Sequence, residues 1–137
     1  MKKNCLYVFV IVVCLSCNSH NTALDAFDTI LSKSDRIMIR FDPDENDNKK
    51  ANFVFINSSS QIEEFRGLLQ KSTEGTGCIE HDGGMTFYSG AQITGHLDFN
   101  LNPNCAAFYL EYDGKITAYK IDPFCVMFLM STKLNGH

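Results

Sequence analysis

The chain has 137 residues, with 12 lysines and arginines against 16 aspartates and glutamates, and a net charge of −4. Nucleic-acid binding and charge-driven docking on anionic lipid headgroups both need a basic surface, so this composition argues against both partners. The length fits one domain.

The first residues have the pattern of a secretion signal. Two lysines precede an apolar run from Leu6 to Leu15, which is shorter than the roughly 20 apolar residues that span a membrane. Ser16 is a small residue directly before Cys17. We therefore predict a signal peptide over residues 1–16. Its removal would leave 137 less 16, or 121 residues, and the loss of two lysines would take the net charge from −4 to −6.

The order Leu15-Ser16-Cys17 resembles the lipobox of bacterial lipoproteins, in which the signal is removed and the new N-terminal cysteine is acylated. The resemblance is to small bacterial lipoproteins of unknown function, covers residues 1–17, and implies no functional residue elsewhere. It implies export and a lipid anchor on Cys17, on the periplasmic or cell-surface side of a bacterial membrane. Cys14 stands where that family prefers an aliphatic residue, so an ordinary cleaved signal is the alternative.

Three cysteines, Cys78, Cys105 and Cys125, lie in the predicted mature domain. Export to an oxidising compartment favours one disulfide with one thiol left over. Cys78 and Cys105 flank the central predicted hairpin, so we expect them to form the disulfide, with Cys105–Cys125 as the rival. Cys125 lies in an apolar segment, where burial would raise its pKa and make it inert. The spacing of these three cysteines contains no C-x-x-C pair, so a structural zinc site is not expected.

A short tether over 17–22 is predicted to precede a single domain over 23–137. Apolar residues at helical spacing predict a first helix over 23–32. Alternating residues then predict strands over 36–41 and 52–57, joined as a hairpin by a long polar loop.

A second helix is predicted next. Ser60 and Glu63 have the spacing of a capping box, and Ile62, Phe65, Leu68 and Leu69 make an apolar stripe that should end near Lys71.

The stretch from Met85 to Ile121 predicts a four-stranded antiparallel meander. Its first loop is expected at Tyr88-Ser89-Gly90, with Gly90 left-handed, and this aligns Met85 with Ile93. Asp113-Gly114 is a strong type I′ hairpin signal. A two-residue loop there pairs apolar residues on one face, namely Leu110 with Thr117, Phe108 with Tyr119 and Ala106 with Ile121.

The last segment begins with Asp122 and Pro123, which suit a helix N-cap and first helical position. Residues 124–130 are apolar all round, so both a helix and a buried strand fit, and we favour a short helix covering the sheet. The predicted fold class is α+β: an antiparallel sheet, made of a hairpin and a four-stranded meander, with two or three helices packed on one face.

The wet face of the meander is the candidate recognition surface, because aromatic and charged side chains on a rigid sheet can bind a partner. It carries Thr94, His96, Asp98, Tyr109 and Glu111, with Lys120 beside them. Plain solvent exposure of the same residues is the alternative.

A metal-dependent site built from His81, Asp82, His96 and Asp98 is a second hypothesis. The predicted register sets His81 opposite Leu97, so His81 and His96 would lie on different faces, which disfavours converging ligands. The chain has no G-x-S-x-G element and no glycine-rich phosphate loop, and we expect no catalytic residue and no cofactor. The sequence thus favours a non-catalytic module that binds an envelope or extracellular protein or a small ligand. An inhibitor or immunity-type protein and a metal-dependent enzyme are the alternatives.

Overall fold

The computed structural model describes residues 22–43 and 50–135. The predicted signal peptide, Cys17 and all of the tether except Thr22 lie outside these residues. The elements in chain order are α1 Thr22–Ser32, β1 Arg36–Phe41, β2 Asn52–Ile56, α2 Ser59–Leu69, β3 Thr73–Glu74, β4 Gly83–Ser89, β5 Gln92–Asn100, β6 Ala107–Tyr112, β7 Lys115–Lys120 and α3 Pro123–Asn135.

Seven strands form one antiparallel sheet in the order β2-β1-β4-β5-β6-β7-β3. The predicted α+β class, the hairpin and the four-stranded meander are confirmed. β3 was not predicted, because two exposed residues, Thr73 and Glu74, carry no alternating pattern. It pairs with β7 and closes the far edge of the sheet.

All three helices pack on one face of the sheet, where the core lies. Phe65 of α2 meets Phe87 of β4 and Phe108 of β6, with ring centroids 6.5 and 6.0 Å apart, and Phe128 of α3 at 6.2 Å. Phe27 of α1 packs edge-on against Phe87 at 5.3 Å. None of the helices in the described ranges is long and apolar enough to cross a membrane.

Of the two predicted helix caps, the one on α3 is confirmed and the one on α2 is wrong. The backbone N–H of Phe124 donates to the Asp122 carboxylate at 2.9 Å, so the predicted cap of α3 is confirmed and the segment is a helix rather than a strand. The predicted capping box of α2 is wrong: the N-cap is Ser58, and Ser60 lies inside the helix. The Ser60 hydroxyl instead meets the Ser58 hydroxyl at 2.7 Å.

The β6–β7 hairpin is as predicted. Asp113 and Gly114 both have positive φ, 52° and 72°, which a type I′ turn requires. Leu110 lies opposite Thr117 and Phe108 opposite Tyr119.

The β4–β5 hairpin has a different register from the predicted one. Met85 lies opposite Leu97 rather than Ile93, because β4 continues through Ser89 and only Gly90 and Ala91 form the loop. Gly90 is left-handed as expected, with φ 59°. A register irregularity at Phe87/Tyr88 inserts one extra residue into β5, and Ile93 before it is turned outward and is 66% exposed.

Candidate functional site

The face of the sheet opposite the helices is here named the open face. Its side chains come from the residues that alternate with the core positions of each strand. The strand registers align one row across six strands: Phe53, Arg40, Gly84, Asp98, Tyr109 and Ala118.

A loop over residues 75–82 crosses one end of the open face. The Cys78–Cys105 disulfide joins this loop to the β5–β6 connection, which confirms the predicted pairing and rules out Cys105–Cys125. The Tyr109 hydroxyl donates to the Cys78 carbonyl, and the Asn100 amide donates to the Glu80 carbonyl at 2.6 Å. The loop is therefore held to the sheet by covalent and hydrogen bonds along its length.

Gly77 allows the loop to lie flat on the sheet. A Cβ at this position would stand 2.8 Å from the Cβ of Ala107 and would overlap the Tyr109 hydroxyl. Any larger residue would lift the loop from β6.

Asp98 is the centre of a group of polar side chains on the open face, here named the open-face cluster: His81, Thr86, His96, Asp98 and Tyr109. One Asp98 oxygen lies 3.1 Å from Nε2 of His96, and the other lies 3.5 Å from Nδ1 of His81. Nδ1 of His96 lies 3.3 Å from the Thr86 hydroxyl. The carboxylate thus bridges two imidazoles that come from different segments of the chain.

The His81 ring stacks on the Tyr109 ring, with centroids 4.5 Å apart and planes 17° from parallel. Burial, with a smaller effect from the Asp82 charge, raises the pKa of the Tyr109 phenol. Tyr109 therefore stays neutral at physiological pH and keeps its proton for the Cys78 carbonyl.

Gly84 gives the cluster its space. A Cβ there would lie 2.9 Å from the Asp98 carboxylate and 3.0 Å from Cε1 of His96. In the sequence Gly83-Gly84 indicates no more than the start of a strand. Its second role is visible only once the register sets Gly84 opposite Asp98.

The prediction that His81 and His96 lie on different faces is wrong, because both contact Asp98. The error follows from the β4–β5 register and from His81 lying outside β4. Asp82 is directed elsewhere: its carboxylate accepts the Leu101 backbone N–H at 2.6 Å. Within residues 22–43 and 50–135, no group of three or more histidine, cysteine, aspartate or glutamate side chains is placed to hold a metal ion.

The structure gathers three of the five residues of the predicted recognition surface, His96, Asp98 and Tyr109. Glu111 is exposed further along β6 on the same face. Thr94 lies apart from the cluster, at the irregularity in β5, where its hydroxyl is 3.4 Å from that of Ser34. Sequence reasoning placed Thr94 on the regular alternation of β5, which the extra residue interrupts.

Cys125 is a free, buried cysteine in α3. Burial, with a smaller contribution from the Asp122 charge, raises the pKa of its thiol to about 12. The predicted burial of Cys125 is confirmed, and the raised pKa agrees with the expectation of an inert thiol, because little thiolate would exist near neutral pH.

No protein family model matches this chain, and comparisons with curated proteins and with solved structures gave no match.

Proposed function

We propose that this chain is an exported protein, anchored to a membrane by a lipid on Cys17, that acts as a non-catalytic binding module and recognises a protein or small ligand with its open face. The observation that carries the proposal is the arrangement of the two faces. Three helices cover one face, and the opposite face presents aromatic and charged groups on a rigid sheet. Aromatic residues such as Tyr109 are enriched where proteins recognise partners, and the polar groups around it can orient a ligand through directional hydrogen bonds.

Rigidity supports binding, because pre-ordered groups lose little conformational entropy when a partner arrives. The disulfide and the Tyr109 hydrogen bond hold the loop that carries His81. Asp98 then orients both imidazoles.

Export is supported by the chemistry of the cysteines. Cys78 and Cys105 are bonded, and such structural disulfides persist in oxidising compartments outside the cytosol. A single acyl chain anchors weakly, so the proposed anchor needs more than one chain. Mass spectrometry of the mature N-terminus tests this part: we expect a diacylglyceryl group on Cys17. An unmodified N-terminus that begins beyond Cys17 would refute the anchor.

The binding function is tested by affinity capture from envelope and extracellular fractions with Asp98→Asn and Asp113→Asn variants. Both changes replace a carboxylate by an amide, but Asp98 holds the cluster and Asp113 lies in an exposed turn where asparagine is favoured. We expect a specific partner to be retained by the wild type and by Asp113→Asn, and to be lost from Asp98→Asn. Equal retention by both variants would contradict recognition by the open-face cluster.

Metal analysis of the same samples addresses the enzyme alternative. Stoichiometric metal in the wild type that is lost in a His96→Ala variant would contradict the binding module and support a metal-dependent site at His81, His96 and Asp98.

A further inference from the structure

The two edges of the sheet differ in a way that points to a second site. Strand β3, at one edge, has two residues and carries the charge of Glu74. Strand β2, at the other edge, has five residues, Asn-Phe-Val-Phe-Ile, and no charge. Proteins usually protect a sheet edge with charge, proline or a very short strand. Within β2 itself, no such protection is present.

The hydrogen-bond pattern of the sheet shows which way the backbone of β1 points. The Asp42 N–H donates to the Asp82 carbonyl at 2.8 Å, and these residues continue the β1–β4 register. In an antiparallel ladder, hydrogen-bonded pairs alternate with non-bonded pairs. Even-numbered residues of β1 therefore bond to β4, and odd-numbered residues bond to β2.

The same alternation fixes the outer edge of β2. Ile39 lies opposite Val54, so Val54 directs its backbone groups to β1. Phe53 and Phe55 then direct their N–H and C=O groups outward, away from the sheet. Among the strands that the structure describes, β1 is the only one paired with β2.

Side chains flank these outward backbone groups on both sides, apolar on the open face and mixed apolar and polar on the helix side. The Phe53 and Phe55 side chains project on the open face and are 49% and 54% exposed. On the helix side, a groove of about 200 Å³ is lined by Val54, Phe55, Ile56, Gln61, Phe128, Ser131 and Thr132. A strand laid beside β2 would place one set of alternate side chains against the two phenylalanines and the other set in this groove.

We propose that the β2 edge binds an extended, uncharged peptide segment of another protein by strand addition. The backbone groups of Phe53 and Phe55 supply the hydrogen bonds, and their exposed rings favour apolar side chains of the peptide on the open face. The groove, which is lined by both apolar and polar side chains, takes the alternate uncharged side chains. The edge is about 17 Å long, at roughly 3.4 Å per residue. An edge of this length buries less surface than the roughly 800 Å² per partner of a stable dimer interface. A single peptide strand fits it better than a second copy. The site goes beyond the open-face function, since none of its residues belongs to the open-face cluster.

The test uses the mature chain, purified from the exporting cell, and a capped nine-residue peptide of alternating threonine and valine. A control peptide carries proline at two central positions. Amide hydrogen exchange is measured by NMR with each peptide in excess. We expect the Phe53 and Phe55 amides to exchange about tenfold more slowly with the first peptide only, because each gains a hydrogen bond.

Three variants separate the edge from the rest of the molecule. Phe55→Pro removes an outward N–H, which an edge strand tolerates, and should weaken peptide binding about tenfold while the sheet stays folded. Val54→Pro removes an inward N–H and should unfold the hairpin. Phe55→Lys keeps the backbone and should weaken binding through its charge, so the proposal stays testable if Phe55→Pro does not fold.

The open-face variant Asp98→Asn should bind the peptide like the wild type, which keeps failure of this site distinct from failure of the proposed function. Unchanged exchange at Phe53 and Phe55 with excess peptide would overturn the proposal. If light scattering detects a dimer that Phe55→Lys abolishes, the occupant of the β2 edge is a second copy of the chain, and the peptide proposal is overturned.

Discussion

The two faces of the sheet use opposite kinds of chemistry. On the covered face, Phe65 is fully buried among rings from two strands and another helix, and its contacts are apolar. On the open face, Asp98 bridges two histidines above a glycine. Apolar burial stabilises a fold without direction, whereas polar groups recognise by direction. We therefore expect stability to reside mainly on the covered face, and we propose recognition on the open face.

The largest effect is expected on the covered face. Phe65→Ala removes a fully buried ring and should lower the free energy of unfolding by about 3–5 kcal/mol, because a cavity remains between the sheet and α3. Urea denaturation measures this loss. The matched variant Phe55→Ala alters a half-exposed ring and should cost less than about 1 kcal/mol. Similar losses of unfolding free energy in both variants would contradict the expectation that stability resides mainly on the covered face.

The disulfide should have the next largest effect. Replacing Cys78 and Cys105 together by serine should lower the free energy of unfolding by about 2–4 kcal/mol, because the unfolded chain gains freedom. Denaturation of the wild type with and without a thiol reductant measures the same difference. The reductant should leave the double variant unchanged, and a wild type equally insensitive to it would contradict the bond.

Glycine substitutions compare a crowded site with an open one. Gly84→Ala puts a Cβ against Asp98 and His96 and should cost about 1–3 kcal/mol, with loss of NMR contacts between the His96 and Asp98 side chains. Gly67→Ala, in α2, meets nothing within 4 Å and should stabilise the protein by about 0.5–1 kcal/mol. Thermal denaturation of the two variants checks the opposite signs. A stabilising Gly84→Ala would show that the open-face cluster is not tightly packed.

The smallest effect concerns the ion pair between α1 and α2. Arg66 donates two hydrogen bonds to Asp28, at 2.5 and 2.7 Å, and these bonds hold the pKa of Asp28 below its ordinary value of about 3.9. A lowered folded-state pKa stabilises the protein above the unfolded-state pKa, and this contribution disappears as the pH falls through the folded-state pKa. Acid denaturation should therefore be less steep below about pH 4 in Asp28→Asn. Superimposable pH profiles would exclude a contribution from the pair.

The two hairpins of the meander show how far sequence reasoning extends. Asp113 and Gly114 specify a type I′ turn, and that turn fixes every pair of β6–β7. Around Gly90 the chemistry allows turns at more than one position. There the register depends on long-range packing. The guanidinium carbon of Arg36, in β1, lies over the Tyr88 ring, 4.4 Å from the ring centroid, and Tyr88 remains in the strand.

The dependence on long-range contacts also explains why the sequence predicted only part of the open-face cluster. His96, Asp98 and Tyr109 follow from strand alternation and were identified as surface residues. His81 was placed wrongly, because it reaches Asp98 from a loop whose path depends on the disulfide and on Gly77. Alternation describes residues within a strand, and it gives no information about a loop that returns across the sheet.

Site-specific photo-crosslinking in the exporting cell tests the central claim most directly. A photoreactive amino acid replaces Glu111 on the open face in one strain and Glu64 on the helix layer in another, both exposed glutamates. We expect a discrete adduct from position 111 that Asp98→Asn abolishes, and none from position 64. Adducts from position 64 alone, or equally from both positions, would contradict recognition by the open face.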